Sequence, residues 1–497
     1  MARMGFDAQP KLRILSDSDI RRIHESALDI LENTGVMFRS DEALKILAGA
    51  GAVVDFKAGR ARFPKKMVLD AIAGCPPGVT LYTTDGKPAV KLEGNEFHYA
   101  PGSTALKSGA GDGRDAKEAV SADLRDIVRL VDRLPHIHLQ STAVVVSDVP
   151  RAVGDLYRLY IVLKYSNKPV ITGAFSIEGL TDMKNMLAAV VGGDRVLAEK
   201  PVAVFDVCPS PPLMWTDIST HNIMDCARYS LPVEFISMPL SGANAPATIA
   251  GSVLQHTAET LSGVVLAQVV RKGTPVIYGG APSFFEMRFG TTPMGSVETM
   301  MVDVCYAQMG KFYGLPTHTY TATTDSKLLD MQAGVESSLG SVLGALGGIN
   351  VISGPGMYDF LTCQSLTKLV VDNEICGMVY RLLKGVDTSD DALALDLIKS
   401  SGPGADYLSN PHTLKFFKQE QYVPGPVVDR RDRKNWLARG ATDMITKAGE
   451  AVAKVLAAPP PASLSANQSS ALDSVVRGIM KKHGISSLPL GPEAAGA

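Results

Sequence analysis

Aromatic side chains collect where predicted strands end, although aromatic residues make up only 6% of the chain. They stand at the ends of apolar runs or in the loops that follow: Tyr99, Trp215, Tyr278, Phe284, Phe285, Tyr320 and Tyr358. The face of an aromatic ring attracts a cation, and several rings together can hold a quaternary ammonium without hydrogen bonds. If these side chains converge, the sequence predicts a site for such a cation. The alternative is that several of them anchor loops.

Polar residues that could do acid–base or metal chemistry are few. His98 and His318 lie in the first and seventh predicted strands, where a histidine is more often a hydrogen-bonded structural residue than a catalyst. The H-x-H pair at 136–138 precedes a strand and is expected at the end away from the site, so no metal is predicted. Asp325 and Asp330 could supply the paired carboxylates of a glycoside hydrolase, and they fit a loop and a helix cap equally well.

Eight short apolar runs must position these residues, and each is followed by a helical pattern. The runs occupy residues 97–102, 139–147, 168–176, 201–210, 232–242, 274–282, 316–323 and 349–356. Near-continuous apolar strands indicate burial on both faces, as in parallel sheets covered by helices. Eight such units in roughly 290 residues predict an α/β fold, a (β/α)8 TIM barrel with its site at the carboxyl ends of the strands. An open doubly wound sheet is the alternative, but the glycines at 102–113 lack the spacing of a phosphate loop.

The regions outside the barrel have different patterns. Residues 1–94 are predicted to form an N-terminal helical region, with an amphipathic helix over 16–33 capped by Ser16 or Ser18. The barrel is predicted over residues 95–385, and a C-terminal helical extension packed on it over 386–456. Residues 457–497 are predicted to be a flexible linker and a tail with an isolated helix at 471–482.

Composition excludes several classes of protein. The net charge is −2 and no basic run exceeds two residues, which argues against a nucleic-acid partner. No stretch is apolar for long enough to predict a membrane span, and no apolar run follows the basic residues at the N-terminus. The six cysteines form no C-x-x-C pair, which favours reduced thiols in a cytoplasmic protein.

Long motifs in the second half of the barrel resemble the trimethylamine methyltransferase family. They are LSGANAPATIAGSVLQHTAETLSGVVLAQ (240–268), GTPVIYGG (273–280), EMRFG (286–290), TDSKLLDMQAGVES (324–337) and LVVDNEICGMVYRLL (369–383). The fourth is the most specific. Residues 412–431 and 435–445 are similar as well, so the resemblance covers nearly the whole chain before the linker. It also implies a (β/α)8 barrel.

The resemblance implies a corrinoid-dependent methyltransferase. Relatives that act on trimethylamine carry pyrrolysine, whereas this chain has ordinary residues throughout and is similar to the glycine betaine methyltransferase branch. The expected reaction moves a methyl group from a quaternary amine, glycine betaine or a related betaine, to the cob(I)alamin of a separate corrinoid protein. Asp325, Lys327, Gln332 and Glu336 of the family motif are expected to face the corrinoid.

This chemistry needs few catalytic groups. Cob(I)alamin is a strong nucleophile and the leaving group is a neutral tertiary amine, so no metal, general acid or covalent nucleophile is required. The protein must hold the cation in line, exclude water and dock the carrier, through an apolar-rimmed opening. Arg288 and His318 are expected to bind substrate, and with Lys327 they are the candidates to pair with the carboxylate of a betaine.

Two further functions remain open at this stage. One is a protein that binds or senses a quaternary amine on the same barrel without turnover. The other is a barrel hydrolase that uses paired carboxylates. A homo-oligomer is compatible with a barrel of this size, and the number of copies is left open.

Overall fold

A parallel sheet of eight strands forms the centre of the computed structural model, which describes residues 11–460 and 463–492. Its strands follow one another in chain order and are called barrel strands one to eight: His98–Ala100, Gln140–Ser141, Val170–Thr172, Ala203–Val207, Val233–Ser237, Val276–Gly280, Thr317–Thr319 and Val351–Ser353. Strand eight pairs with strand one. The His138 N–H donates to the Tyr99 carbonyl at 2.9 Å, which links strands one and two. The sheet therefore curls into a nearly closed barrel, and the predicted fold is confirmed.

A helix follows each barrel strand and covers the outside of the sheet. These helices are Ser121–Arg133, Gly154–Tyr165, Gly179–Val191, Asp217–Tyr229, Ile249–Val270, Val297–Phe312, Met331–Leu346 and Leu366–Leu383. Several begin at a side chain that accepts a first-turn backbone N–H, among them Thr216, Thr248, Ser296, Asp330 and Ser365. All eight predicted helical patterns are confirmed to within a few residues.

The N-terminal region lies outside the barrel, against helix Ile249–Val270. It contains helices Asp17–Asp29, Asp41–Gly49 and Lys65–Gly74 with strands Val36–Phe38, Val53–Asp55 and Arg60–Arg62. Ser16 caps the first helix in a capping box with Asp19. Of the two predicted caps, Ser16 and Ser18, the structure therefore has the first. The helix continues through one π-helical turn, Ile30–Thr34. Residues 1–10 lie outside the described residues.

A β-hairpin closes the N-terminal end of the barrel. Its strands, Gly78–Tyr82 and Pro88–Glu93, pair antiparallel. Four buried hairpin side chains form one apolar cluster with six inward-facing barrel residues: Val79, Leu81, Val90, Leu92, Ala100, Leu139, Ile171, Val204, Ile277 and Val351. This plug fills the lower half of the barrel, so that only the half nearest the carboxyl ends of the strands can hold a site.

Beyond the barrel, residues 386–440 form what is here called the C-terminal arm. Its helices Asp390–Leu393, Leu395–Ser401, Pro411–Glu420 and Arg433–Ala438 bury no side chain. Tyr422 anchors the arm, because its hydroxyl donates to Glu374 at 2.8 Å. Helix Met444–Ala457 then packs on barrel helices Leu366–Leu383 and Ser121–Arg133.

The last helix is longer than predicted and is not isolated. It runs over Ala466–Lys482, and Ser465 caps it in a capping box. Leu472, Val476 and Met480 are buried where it packs against barrel helix Gly179–Val191. Of the predicted linker, residues 461–462 lie outside the described residues.

The cysteines form no disulfide bonds: all six are free, and four of them are buried. Across residues 11–460 and 463–492, no helix combines the length and apolar character that crossing a bilayer requires.

Candidate active site

Inward-facing side chains change from apolar to polar toward the carboxyl ends of the barrel strands. Asp206 on strand four and Glu234 on strand five are register partners. His318 on strand seven and Ser353 on strand eight face the same space, because alternate residues of a strand point to the same side. With Tyr320 these side chains form the carboxyl cluster. Glu234 and His318 are fully buried inside the barrel, and Asp206 is partly buried.

Hydrogen bonds connect the members of this cluster. Glu234 Oε1 is bonded to His318 Nδ1, and His318 Nε2 lies 2.7 Å from Ser353 Oγ. The Tyr320 hydroxyl donates to Asp206 Oδ2 at 3.5 Å. Glu234 must reach across strand six, and Gly279 provides the space, because a Cβ there would lie 2.5 Å from Glu234 Oε1. One absent side chain therefore permits the contact between glutamate and histidine.

Burial sets the protonation of the cluster. It raises the pKa of Glu234 to about 8. It raises the pKa of Asp206 well above its usual range, and the neighbouring Glu234 raises it further. Burial also lowers the pKa of His318 to about 4. Near neutral pH the histidine is therefore neutral and Glu234 is close to its titration point, whereas the raised pKa of Asp206 favours its protonated form.

Two buried oxygen atoms of this cluster, Asp206 Oδ1 and Glu234 Oε2, accept no N–H or hydroxyl hydrogen bond from any described residue. They belong to neighbouring carboxyl groups, which hydrogen-bond to each other when a proton lies between them. Buried polar atoms are nearly always paired, so a shared proton or a bound cation must satisfy these two oxygens. No lysine or arginine lies among the inward-facing residues of the eight strands. The arrangement suits a cation.

An apolar cover closes the cluster toward the solvent. Ile236, Met294 and Tyr320 form a small buried group against which Leu361 packs. Leu361 ends a run of three non-glycine residues, 359–361, with φ of 52°, 57° and 64°. The left-handed region costs an L-residue roughly 1–2 kcal/mol, so this loop holds stored strain directly above the site.

The most specific sequence motif, 324–337, connects the loops around this cover. Asp325 accepts the backbone N–H groups of Met294 at 2.8 Å and Gly295 at 2.9 Å. Burial raises the pKa of Asp325 to about 6. Glu336 accepts the Thr324 hydroxyl at 2.6 Å. These bonds join the loop after strand six to the loop after strand seven.

Lys327 extends the connection to the loop after strand eight. Its ammonium lies 3.7 Å from the ring centre of Phe360 and donates to the Asp325 carbonyl at 2.9 Å. Gln332 donates to Glu336 at 2.8 Å. Lys327 and Gln332 are exposed at the mouth of the barrel. That these motif residues face a corrinoid stays a prediction.

Three of the seven predicted aromatic residues point away from the interior. Tyr99 and Tyr278 face the surrounding helices, and the Tyr278 hydroxyl donates to Thr257 at 3.0 Å. Trp215 is also buried outside the barrel, where its indole donates to Ser262 at 2.8 Å. These rings are anchors between the sheet and its helices.

The other four aromatic residues lie nearer the mouth without forming one cage. Tyr358 is buried in a small sheet, where its hydroxyl lies 3.5 Å from the Gly113 carbonyl. Phe284 and Phe285 are half-buried in the loop after strand six. Tyr320 alone among the seven faces the barrel interior, with its ring 4.9 Å from that of His318. Acidic groups, rather than a set of rings, dominate the site.

Of the predicted polar residues discussed next, one belongs to the site and the others lie in loops or at a helix end. His318 belongs to the carboxyl cluster. Arg288 is exposed and forms two hydrogen bonds with Glu286, at 2.8 and 2.7 Å. Asp330 is a helix cap that accepts the N–H groups of Gln332 and Ala333. Since Asp325 and Asp330 each bind backbone groups, they do not form a hydrolase pair facing one cleft.

Neither Glu234 nor Asp206 was predicted from the sequence as a site residue. Both are single acids inside otherwise apolar strands, in PVEFIS and PVAVFDV. A charged residue inside a strand buried on both faces must point into a polar space, because an isolated buried charge is costly. That signal was available in the sequence.

The chain is similar to known methyltransferases over nearly its full length. The family model for trimethylamine methyltransferase (MTTB) matches residues 3–483. A trimethylamine methyltransferase MttB from Desulfitobacterium hafniense (strain DSM 10664 / DCB-2) is 30% identical over 473 residues, covering 95% of this chain and 94% of that protein. A glycine betaine methyltransferase from Desulfitobacterium hafniense (strain Y51) is 31% identical over 429 residues, covering 86% and 89%.

One solved structure supports the fold. The Methanosarcina barkeri monomethylamine methyltransferase (MtmB) superposes with a TM-score of 0.52 and covers 88% of this chain and 93% of its own. Its sequence is 14% identical, so this likeness shows the fold alone.

Proposed function

Because the chain belongs to the trimethylamine methyltransferase family, we propose that it transfers a methyl group from a quaternary amine to the cob(I)alamin of a separate corrinoid protein. Glycine betaine or a related betaine is the proposed donor. The observation that carries the proposal is the carboxyl cluster, two neighbouring acids inside the barrel with no lysine or arginine among the inward-facing strand residues. In this proposal, the cation lies between Asp206 and Glu234 and beneath the apolar cover.

Each residue of the cluster has a role in holding the substrate. An ionised Glu234 attracts the ammonium, and His318 and Ser353 fix the position of its carboxylate. The ring of Tyr320 faces the same space and adds cation–π attraction. Ile236 and Leu361 exclude water, which strengthens the electrostatic attraction.

The proposed reaction balances without proton transfer. The C–N bond of the quaternary ammonium breaks, and its electron pair remains on nitrogen to give a neutral tertiary amine. The methyl group passes to cob(I)alamin, which supplies the electron pair of the new carbon–cobalt bond. The protein contributes alignment and exclusion of water.

A betaine also brings a carboxylate, which the ionised Glu234 would repel. In the proposed pose, this carboxylate points out of the barrel toward the mouth. Lys327 is the nearest basic candidate among the motif residues, since it lies over Phe360 beside the cover. Arg288 is less suited, because Glu286 already occupies its guanidinium.

The corrinoid partner is proposed to dock on the exposed apolar residues of the loops at the carboxyl ends of the strands. Four of these are Phe175, Met238, Phe289 and Met331, the last 86% exposed. The cover must open for the methyl group to leave, and the strained loop 359–361 is the segment proposed to move.

The test mixes the protein with fully reduced cob(I)alamin and a quaternary amine and follows methylcobalamin by its visible absorbance. Glycine betaine is tried first, followed by carnitine, choline and tetramethylammonium. Glu234→Gln should lower the rate at least about 100-fold, whereas Glu199→Gln on an exposed helix should not change it. Binding of an amine by calorimetry with no methyl transfer from any donor would instead identify a binding protein and overturn the proposal.

A further inference from the structure

The C-terminal arm, residues 386–440, exposes an unusual amount of apolar surface. Ten of its large apolar side chains are exposed, among them Val386 at 75%, Leu408 at 81%, Leu414 at 75% and Val423 at 64%. Its four helices are four to ten residues long and bury nothing. Helices this short are marginal in water without tertiary packing, so the arm requires a surface to pack against.

The arm lies at the end of the barrel away from the proposed active site. Helix Leu366–Leu383, which precedes it, ends near the start of barrel strand one, where the Tyr380 hydroxyl donates to the Phe97 carbonyl at 3.1 Å. The apolar cover is at the opposite ends of the strands. A corrinoid protein that docks at the cover therefore does not bury the arm.

The charges of the arm divide into two opposite halves. Residues 386–406 carry five aspartates and one lysine, whereas residues 411–439 carry seven basic and three acidic residues. Lys415 pairs with Asp391, and Arg431 with Asp429. Asp390, Asp396, Arg433 and Lys434 are exposed and make no ion pair within residues 11–460 and 463–492. The arm thus has one acidic and one basic half, each with unpaired charge.

A surface with these properties fits a second copy of itself. In a two-fold symmetric interface each half of a patch meets the other half of the same patch on its partner. Acidic residues would then meet basic ones twice, around a shared apolar centre. A segment with ten exposed large apolar side chains also favours a partner that is always present, as a second copy is.

We propose that the C-terminal arm is a self-association surface through which two copies of this chain form a symmetric pair. Leu408 and Leu414 contribute to its apolar centre, and the acidic half of each arm faces the basic half of the other.

The first experiment measures mass by sedimentation equilibrium of the full chain at micromolar concentration. Leu408→Asp with Leu414→Asp should raise the dissociation constant of the pair at least about 100-fold. The matched control is Met331→Asp with Val335→Asp, which changes apolar residues of comparable exposure at the barrel mouth. The control should leave the dissociation constant unchanged.

A charge exchange then tests the identity of the partner. Asp390→Lys with Asp396→Lys should weaken self-association, and so should Arg433→Glu with Lys434→Glu, because each places like charges opposite one another. An equimolar mixture of the two variants should recover a mixed pair, since every contact in it is again between opposite charges.

Three outcomes would overturn the proposal: a monomeric unchanged chain, leucine variants that associate as the control does, or a mixture of the charge variants that stays monomeric. Circular dichroism of each variant shows that the barrel is folded. The result does not depend on methyl transfer, so it is independent of the proposed function.

Discussion

At the residue scale, the carboxyl cluster should couple binding of the proposed cation to loss of a proton. The pKa of Glu234 is about 8 in the empty site because burial disfavours its charged form. A bound ammonium favours the ionised form and lowers this pKa. At pH values between the pKa of Glu234 in the occupied site and its pKa in the empty site, binding therefore releases a proton. Affinity for the cation rises as the pH increases through this range.

We expect affinity for tetramethylammonium to increase up to about tenfold per pH unit below pH 8 and to level off above it. Glu234→Gln should remove the slope and weaken binding at pH 8. Isothermal titration calorimetry in buffers of different ionisation enthalpy measures both the affinity and the proton released. A flat profile from about pH 6 to 9 in the unchanged protein would contradict this account.

Gly279 provides a second test at the same scale. A Cβ at this position would lie 2.5 Å from Glu234 Oε1, so Gly279→Ala should displace the carboxylate from His318. We expect cation affinity or methyl-transfer rate to fall at least about tenfold, since misplacement of about 1 Å can cost a hundredfold. The control is Gly449→Ala, because a Cβ there meets nothing within 4 Å. Equal activity of the two variants would show that this contact is dispensable.

The sequence identified His318 and the mouth motif, but it did not identify the acids that define the site. Asp206 and Glu234 lie within strands rather than after them. Their importance comes from facing the same space as His318, and that depends on how strands four, five and seven align around the barrel. Sequence spacing within a single strand does not contain that information.

At the scale of elements, the eight strands and their helices could be predicted because strands covered by helices are apolar almost throughout. Because such strands are apolar on both faces, their sequence does not indicate which side chains point into the barrel and which toward the helices. Tyr99 and Tyr278 stand next to the inward-facing Ala100 and Gly279, so a shift of one position moves a ring from the interior to the helical layer. Two of the rings predicted for the aromatic cage, Tyr99 and Tyr278, face the helical layer for this reason.

The hairpin that plugs the barrel offers a prediction at this scale. Leu81 is fully buried between the hairpin and the lower barrel residues. We expect Leu81→Ala to lower the free energy of unfolding by about 2 to 5 kcal/mol, through lost burial and the cavity it leaves. Val53→Ala, on a strand where the side chain is 53% exposed, should change it by less than about 1 kcal/mol.

Thermal unfolding of both variants measures the difference. If Leu81→Ala had the same melting temperature as the unchanged protein, the hairpin would be an independent attachment and not part of the barrel core. Cation binding by folded Leu81→Ala should stay within about threefold of the unchanged protein, because the carboxyl cluster lies in the other half of the barrel.

At the scale of the whole molecule, the two ends of the barrel have different tasks. The carboxyl ends of the strands carry the cluster, its cover and the proposed docking residues. The other end carries the plug and the proposed self-association arm. If both proposals hold, this division would let the corrinoid partner bind and leave without disturbing the contact between copies.

The last helix connects the plug to the barrel wall and should therefore stabilise the whole fold. Gln468 donates to the Thr84 carbonyl in the hairpin turn at 3.0 Å and to the Val190 carbonyl at 2.9 Å. Lys164 on the second barrel helix pairs with Asp473 at 3.0 Å. Leu472, on the last helix, is fully buried. These contacts extend from the tail to two separate parts of the barrel.

We expect Leu472→Ala to destabilise the barrel as one cooperative unit, by about 2 to 5 kcal/mol. Ser470→Ala, on the exposed side of the same helix, is the control and should have the same melting temperature as the unchanged protein. Calorimetry should record a single transition displaced to lower temperature, because losing the tail also loosens the plug. If instead the tail became susceptible to protease while the barrel kept its melting temperature, the helix would be a local attachment. The plug alone would then hold the lower end of the barrel.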